Sequence, residues 1–303
     1  MPTRGTHTGL TDAVRPPDDD SAGPHGAAAR YSPRRTLSLR AELGRQWTRR
    51  RTRLTLGFLV LLPFLLVGAF KLGSGSNRRG APGFVDLATS GAGNFTLFTL
   101  FVATGFLLVV VFALFSGDTV AGEASWSSLR YLLAAPVPRG HLLRQKLLVA
   151  LGLSLFALVL LPAVAYLAGG LFFGWAPART PLGTTFGTLE GLGRLALVVA
   201  YIAVTLVFVS ALAFLLGVLT DAPLGAVGGA VLLVIVSNIL DAVTALGDWR
   251  QVLPTHYQYA WTDLLGPTLV WDQVARGVLW SLAYSLVLYA VAWWHFLRKD
   301  VVS

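Results

Sequence analysis

The sequence predicts an all-α membrane protein: six transmembrane helices, an N-terminal amphipathic helix at the membrane surface, and a helical cytoplasmic segment between the second and third spans. Three observations point there. Hydrophobic residues make up 54% of the 303 positions and charged ones only 13%, against about 25% charged in a typical soluble domain. The apolar residues gather in six runs of roughly the 20 residues that a helix needs to cross a bilayer. None of the runs alternates with period two, so a barrel of strands gains no support.

In chain order, residues 1–35 are rich in Pro, Gly, Ala and charge and include Asp18-Asp19-Asp20. They contain too little apolar surface to form a core, which predicts a disordered cytoplasmic tail. The first thirty residues hold no hydrophobic stretch of the kind a cleaved signal peptide requires. Residues 36–53 place Leu39, Leu43 and Trp47 four apart, with Arg40, Arg45 and Arg49 on other faces. That spacing predicts an interfacial amphipathic helix. Arg49, Arg50, Arg51 and Arg53 then abut the first span and read as a stop-and-orient signal.

The spans are expected at about 54–72, 95–115, 147–173 (with a kink at Pro162), 195–219, 224–240 and 274–296. Lys and Arg favour the cytoplasmic side of membrane proteins. The arginine cluster before Leu54, with Arg130, Arg139, Arg144, Lys146, Arg298 and Lys299, therefore places both termini in the cytoplasm. The exterior positives, among them Arg78, Arg179, Arg194 and Arg250, are spread over longer loops. A multi-pass protein of the plasma membrane is the expected location. The net charge of +9 then speaks to orientation and anionic lipid rather than to nucleic acid. No cysteine is present, which excludes disulfides, thiolate metal sites and cysteine nucleophiles.

Between the second and third runs the chain reads FSGDTVAGEASWSSLRYLLAAPVPRGHLLRQK, Phe115 to Lys146. Asp118, Glu123, Leu129-Arg130, Leu132-Leu133, Pro136, Arg139 and Lys146 stand there in an order that resembles the corresponding segment of ABC-2 type transporter permeases. Ser127-Ser128 stands where Gly-Thr is common in that family, and Ala124-Ser125-Trp126 replaces a usually charged stretch. The resemblance implies a non-catalytic membrane subunit that exports a hydrophobic or amphipathic substrate. A separate ATPase subunit, holding ATP and magnesium, would drive it through this docking segment, and two permease copies would form a homodimer. The alternatives are a membrane scaffold or immunity-type protein, or a carrier that works without an ATPase. On local chemistry alone, Asp118 is expected to cap the helix that Pro136 ends, and Glu123 to pair with Arg130 two turns on.

Gly225 and Gly229 form a G-x-x-x-G in the fifth run, doubled by Ala226 and Ala230. Small residues at this spacing let helices approach closely in lipid, within the chain or across a dimer seam. Asn238 is a polar residue within the same run. It is a candidate for the transport pathway or for an interhelical hydrogen bond. Residues 241–273 form a long exterior segment in which Trp249, Tyr257, Tyr259, Trp261 and Trp271 suit the membrane interface. His256 finds no second His or carboxylate at ligand spacing, so a metal site is not expected. No G-x-x-x-x-G-K-[ST], G-x-S-x-G or H-E-x-x-H occurs, so the chain itself carries no P-loop and neither hydrolase signature. No run carries a charge in its middle, which counts against proton or sodium coupling.

Overall fold

A computed structural model describes residues 39–73, 84–125, 139–176, 178–179, 185–220 and 222–298. The expected tail, 1–35, lies outside the described residues, as do Arg130 and Pro136. Glu123 and Arg139 are placed in helices by their backbone only. Among the described residues the chain is helical apart from turns and one isolated antiparallel bridge, Arg179 to Thr185.

The helices are α1 (Leu39–Thr48), α2 (Arg50–Gly73), α3 (Phe84–Ala88), α4 (Ala92–Thr104), α5 (Leu107–Ser125), α6 (Arg139–Phe173), α7 (Thr188–Leu219), α8 (Pro223–Ala242) and α9 (Asp272–Arg298). Two 3-10 helices, Thr244–Val252 and Ala260–Leu265, fill the aromatic segment before α9. Five helices, α2, α6, α7, α8 and α9, are long and apolar enough to cross a membrane.

The second expected span is the one that differs. It is not a single helix over 95–115. It starts at Ala92, breaks after Thr104, turns through 57° and resumes as α5, which runs on to Ser125. The cause is local. Thr96, Thr99 and Thr104 each donate their hydroxyl to the carbonyl four residues back, a habit that bends helices. Gly105 follows, and the Tyr259 hydroxyl lies 2.6 Å from where a Cβ would stand. Gln258 Nε2 donates to the Thr104 carbonyl that the break releases, at 2.9 Å. A broken helix in an apolar setting survives where such groups satisfy its freed backbone.

α7 is the central pillar: α5, α8 and α9 all pack on it. The main core joins Phe112, Leu158, Leu161, Ile202, Val209 and Ala230, all buried. α5 and α7 cross closely because both carry glycine at the contact. A Cβ on Gly217 would stand 2.6 Å from the Gly117 carbonyl oxygen. Beside this crossing Ser116 and Ser210 share a buried 2.5 Å hydrogen bond, and Tyr289 of α9 donates to Ser210 at 2.9 Å. These neutral bonds tie three helices without placing a charge in the core.

Candidate functional site

Among the described residues, ion pairs cluster where α1, the start of α2, the end of α5 and the start of α6 meet. α1 is amphipathic as expected, and Leu39, Leu43 and Trp47 are exposed. Its adjoining face is turned inward, and there Glu42 and Gln46 are buried. Glu42, 2% exposed, receives both Arg45 Nη2 hydrogen bonds, at 2.9 and 2.7 Å, and one from Gln46 Nε2 at 3.2 Å. Lys146 of α6, 1% exposed, brings its Nζ to 3.6 Å from Glu42 Oε1. Burial by itself would push the Glu42 carboxyl up, but Lys146, Arg45 and Gln46 together outweigh it and hold the group below its ordinary value. Two charges taken out of water in this way depend on each other. Removing one leaves the other buried against unfavourable solvation.

The second pairing joins the α1–α2 junction to α5. Arg49 Nη1 donates to Asp118 Oδ2 at 2.9 Å and Arg51 Nη1 to Asp118 Oδ1 at 2.5 Å. Asp118 is buried, in the fourth turn of α5. It therefore does not cap a later helix: α5 continues through it, so the amides it would cap are already bonded within the helix. Gly122, one turn on, makes room for the carboxylate, since a Cβ there would meet Asp118 Oδ1 at 2.8 Å. The chain thus pairs two of the expected docking residues, Asp118 and Lys146, with the stretch from Glu42 to Arg51 in two separate ion pairings. Two of the arginines read as an orienting cluster, Arg49 and Arg51, are the partners of Asp118. Glu42 was not among the expected site residues. Its signal in the sequence is an acid set between the apolar positions Leu39 and Leu43, where a carboxylate needs a partner from elsewhere.

In α8 the face packed into the chain is Ala226, Ala230, Val234 and Ser237. Gly225 is exposed, and Gly229 is half-buried against Leu216. The alanines make the internal contact, and the outward face carries Gly225 with Leu224, Leu232 and Ile239. Asn238 is half-buried, while its neighbour Ser237 makes the buried hydrogen bond, to Thr255 at 2.7 Å. His256 Nδ1 lies 2.5 Å from Asp241 Oδ1. The fold thus brings together a histidine and a carboxylate that sequence spacing had kept apart. Among the described residues no group of three His, Cys, Asp or Glu side chains is placed to hold a metal.

The family model described as Protein of unknown function (DUF2705) matches residues 60–302, and the chain belongs to that family. No curated protein matches it.

Proposed function

We propose that this DUF2705 chain is the membrane subunit of an ABC-2 type transporter. In this reading it is an exporter of hydrophobic or amphipathic cargo, driven by a separate ATPase that docks on the segment between α5 and α6. The bent pair α4–α5 then counts as one span, which makes six, with both termini and the docking segment in the cytoplasm. One observation carries the reading. Asp118 and Lys146, the first and last residues of the docking motif, are both buried, and both form ion pairs with the stretch from Glu42 to Arg51. A push on the intervening segment would act on both ends of the loop and on α1 together. α5 passes such a displacement along its length to the Gly117–Gly217 crossing and the elbow at Gly105. Nucleotide drives the change only if the ATPase binds one of the two packings better than the other. The exposed small-residue face of α8, with Gly225, suits a second copy of the chain.

The test is affinity purification of the tagged chain from its native membranes. A P-loop ATPase should accompany it, and replacing residues 126–138 with a Gly/Ser linker should release that ATPase while the chain stays in the membrane. Glu123→Lys should leave assembly intact but uncouple ATP hydrolysis from transport. Transport that persists with no ATPase present would overturn the reading.

A further inference from the structure

At the opposite end of the bundle from the ion pairs, a cavity of about 560 Å³ opens between the α3–α4 arm, Arg179, Phe186 and the 3-10 helix 260–265. That size falls within the range of sites that enclose small ligands. Its wall is mainly apolar and includes Leu87, Leu97, Phe98, Phe101, Trp261 and Leu265. Arg179 is the one charged residue among the described residues that line it; Asp86 and Asp263, near in the chain, do not.

Both rims are held without help from an occupant. Asn94 clamps the backbone of Arg179 twice, donating Nδ2 to its carbonyl at 2.9 Å and accepting its N–H at 2.8 Å. The guanidinium takes no part in that clamp. On the facing rim, Arg194 Nη1 donates to the Leu264 and Gly266 carbonyls at 3.0 and 2.5 Å and stacks over Phe186 at 4.1 Å. Arg179 and residues 264–266 are therefore fixed in place at the edges of the cavity. Trp175 and Trp271, both exposed, lie at this end of the spanning helices, and tryptophan settles at the level of the lipid headgroups. Arg179 is thereby placed at headgroup depth, with an apolar chamber beside it. Phe101 and Val102 on α4 are exposed to the surroundings of the bundle, the side from which a bilayer lipid would enter.

We infer that this cavity binds an acyl chain of an anionic phospholipid, with the phosphate on the Arg179 guanidinium. The inference stands apart from the ATPase reading, because the site would be filled whether or not a partner drives the chain.

The full chain, in nanodiscs of phosphatidylcholine, is doped with either phosphatidylglycerol or phosphatidylcholine carrying a photoreactive diazirine in one acyl chain. Labelled peptides are then mapped. The phosphatidylglycerol probe should label residues 87–101 and 261–267 about fivefold more than the phosphatidylcholine probe, as one arginine near an anionic headgroup predicts. Arg179→Gln, which leaves the Asn94 clamp on the backbone, should remove that preference. Leu87→Trp, which fills the cavity, should remove label from both segments while label on the exposed α2 face around Phe58 and Leu61 is unchanged. Equal labelling by the two probes, or a pattern that ignores either substitution, overturns the assignment. Loss of the ATPase in the purification above would leave these labels untouched, so the two failures are distinguishable.

Discussion

The two ends of the helix bundle solve one packing problem with different chemistry. At one end α1, the start of α2, α5 and α6 are joined by ion pairs: Glu42 with Lys146, both buried, and the buried Asp118 with the more exposed Arg49 and Arg51. At the other end, beside Arg194 and the His256–Asp241 pair, neutral groups do much of the joining. Gln258 bonds the Thr104 carbonyl, Ser237 bonds Thr255, Tyr201 donates to the Tyr257 carbonyl at 2.6 Å, and aromatic rings pack around Phe101. Neutral hydrogen bonds can be exchanged for others at modest cost, about 1 kcal/mol each. A buried ion pair cannot be opened gradually, because each charge left alone in low dielectric carries a penalty of several kcal/mol. The charged end is therefore suited to two discrete arrangements, closed or fully opened to water.

The largest expected effect separates the two ends directly. Glu42→Ala removes the carboxylate facing Lys146 and should lower stability by about 3–5 kcal/mol, read as a fall in thermal unfolding temperature in detergent. Glu42→Leu combined with Lys146→Met should recover most of that loss, because an apolar pair of similar volume leaves no charge buried. Failure of the double variant to recover would mean that the charges do more than satisfy one another.

At the aromatic end the sharpest intervention is Gly105→Ala. The new methyl would meet the Tyr259 hydroxyl, and overpacking of this kind typically costs about 1–3 kcal/mol. Tyr259→Phe in the same chain removes the clashing oxygen and should restore the unfolding temperature. If it does not, the space at Gly105 is limited by another neighbour, the nearest being the Gln258 side chain, rather than by the hydroxyl.

Asp118→Asn should have a smaller effect on global stability, about 1 kcal/mol or less, since Arg51 is more than half exposed and screened by water. Its signature should be local. Amide exchange over residues 39–50 should speed up while exchange in α7 stays unchanged.

The pH dependence is expected to be the mildest effect near neutrality. A carboxyl held below its ordinary value stabilises the fold at every pH above that ordinary value, near 4.3. The contribution is lost only as pH falls through the lowered folded value. Protection of the α1 amides, taken relative to the intrinsic exchange rate at each pH, should therefore be the same at pH 7 and pH 5 and should fall only in stronger acid. A fall already at pH 6 would point to a different titrating group.

The helices were legible because their signal is local. A run of apolar residues about 20 long needs no partner to declare itself, and α2, α6, α7, α8 and α9 fall close to the expected bounds. The amphipathic stripe of Leu39, Leu43 and Trp47 was equally readable, since exposure of that stripe follows from spacing alone. Hydropathy does not register a bend, however. The 57° elbow at Gly105 became visible only with Gln258 and Tyr259 in place, more than 150 residues away in the chain.

The charges divide in the same way. Their number and their crowding next to Leu54 are properties of the sequence, and they argue for orientation by themselves. Which acid meets which base is a matter of three-dimensional neighbourhood: Asp118 lies 67 and 69 positions from its two arginines, and Lys146 still further from Glu42. Composition fixed that this chain partitions into apolar helices, because transfer free energy is summed residue by residue. Only the tertiary structure could pair the charges, open the cavity beside Arg179 and break the fourth helix from the fifth. Each of those depends on distances between atoms that the order of residues leaves undetermined.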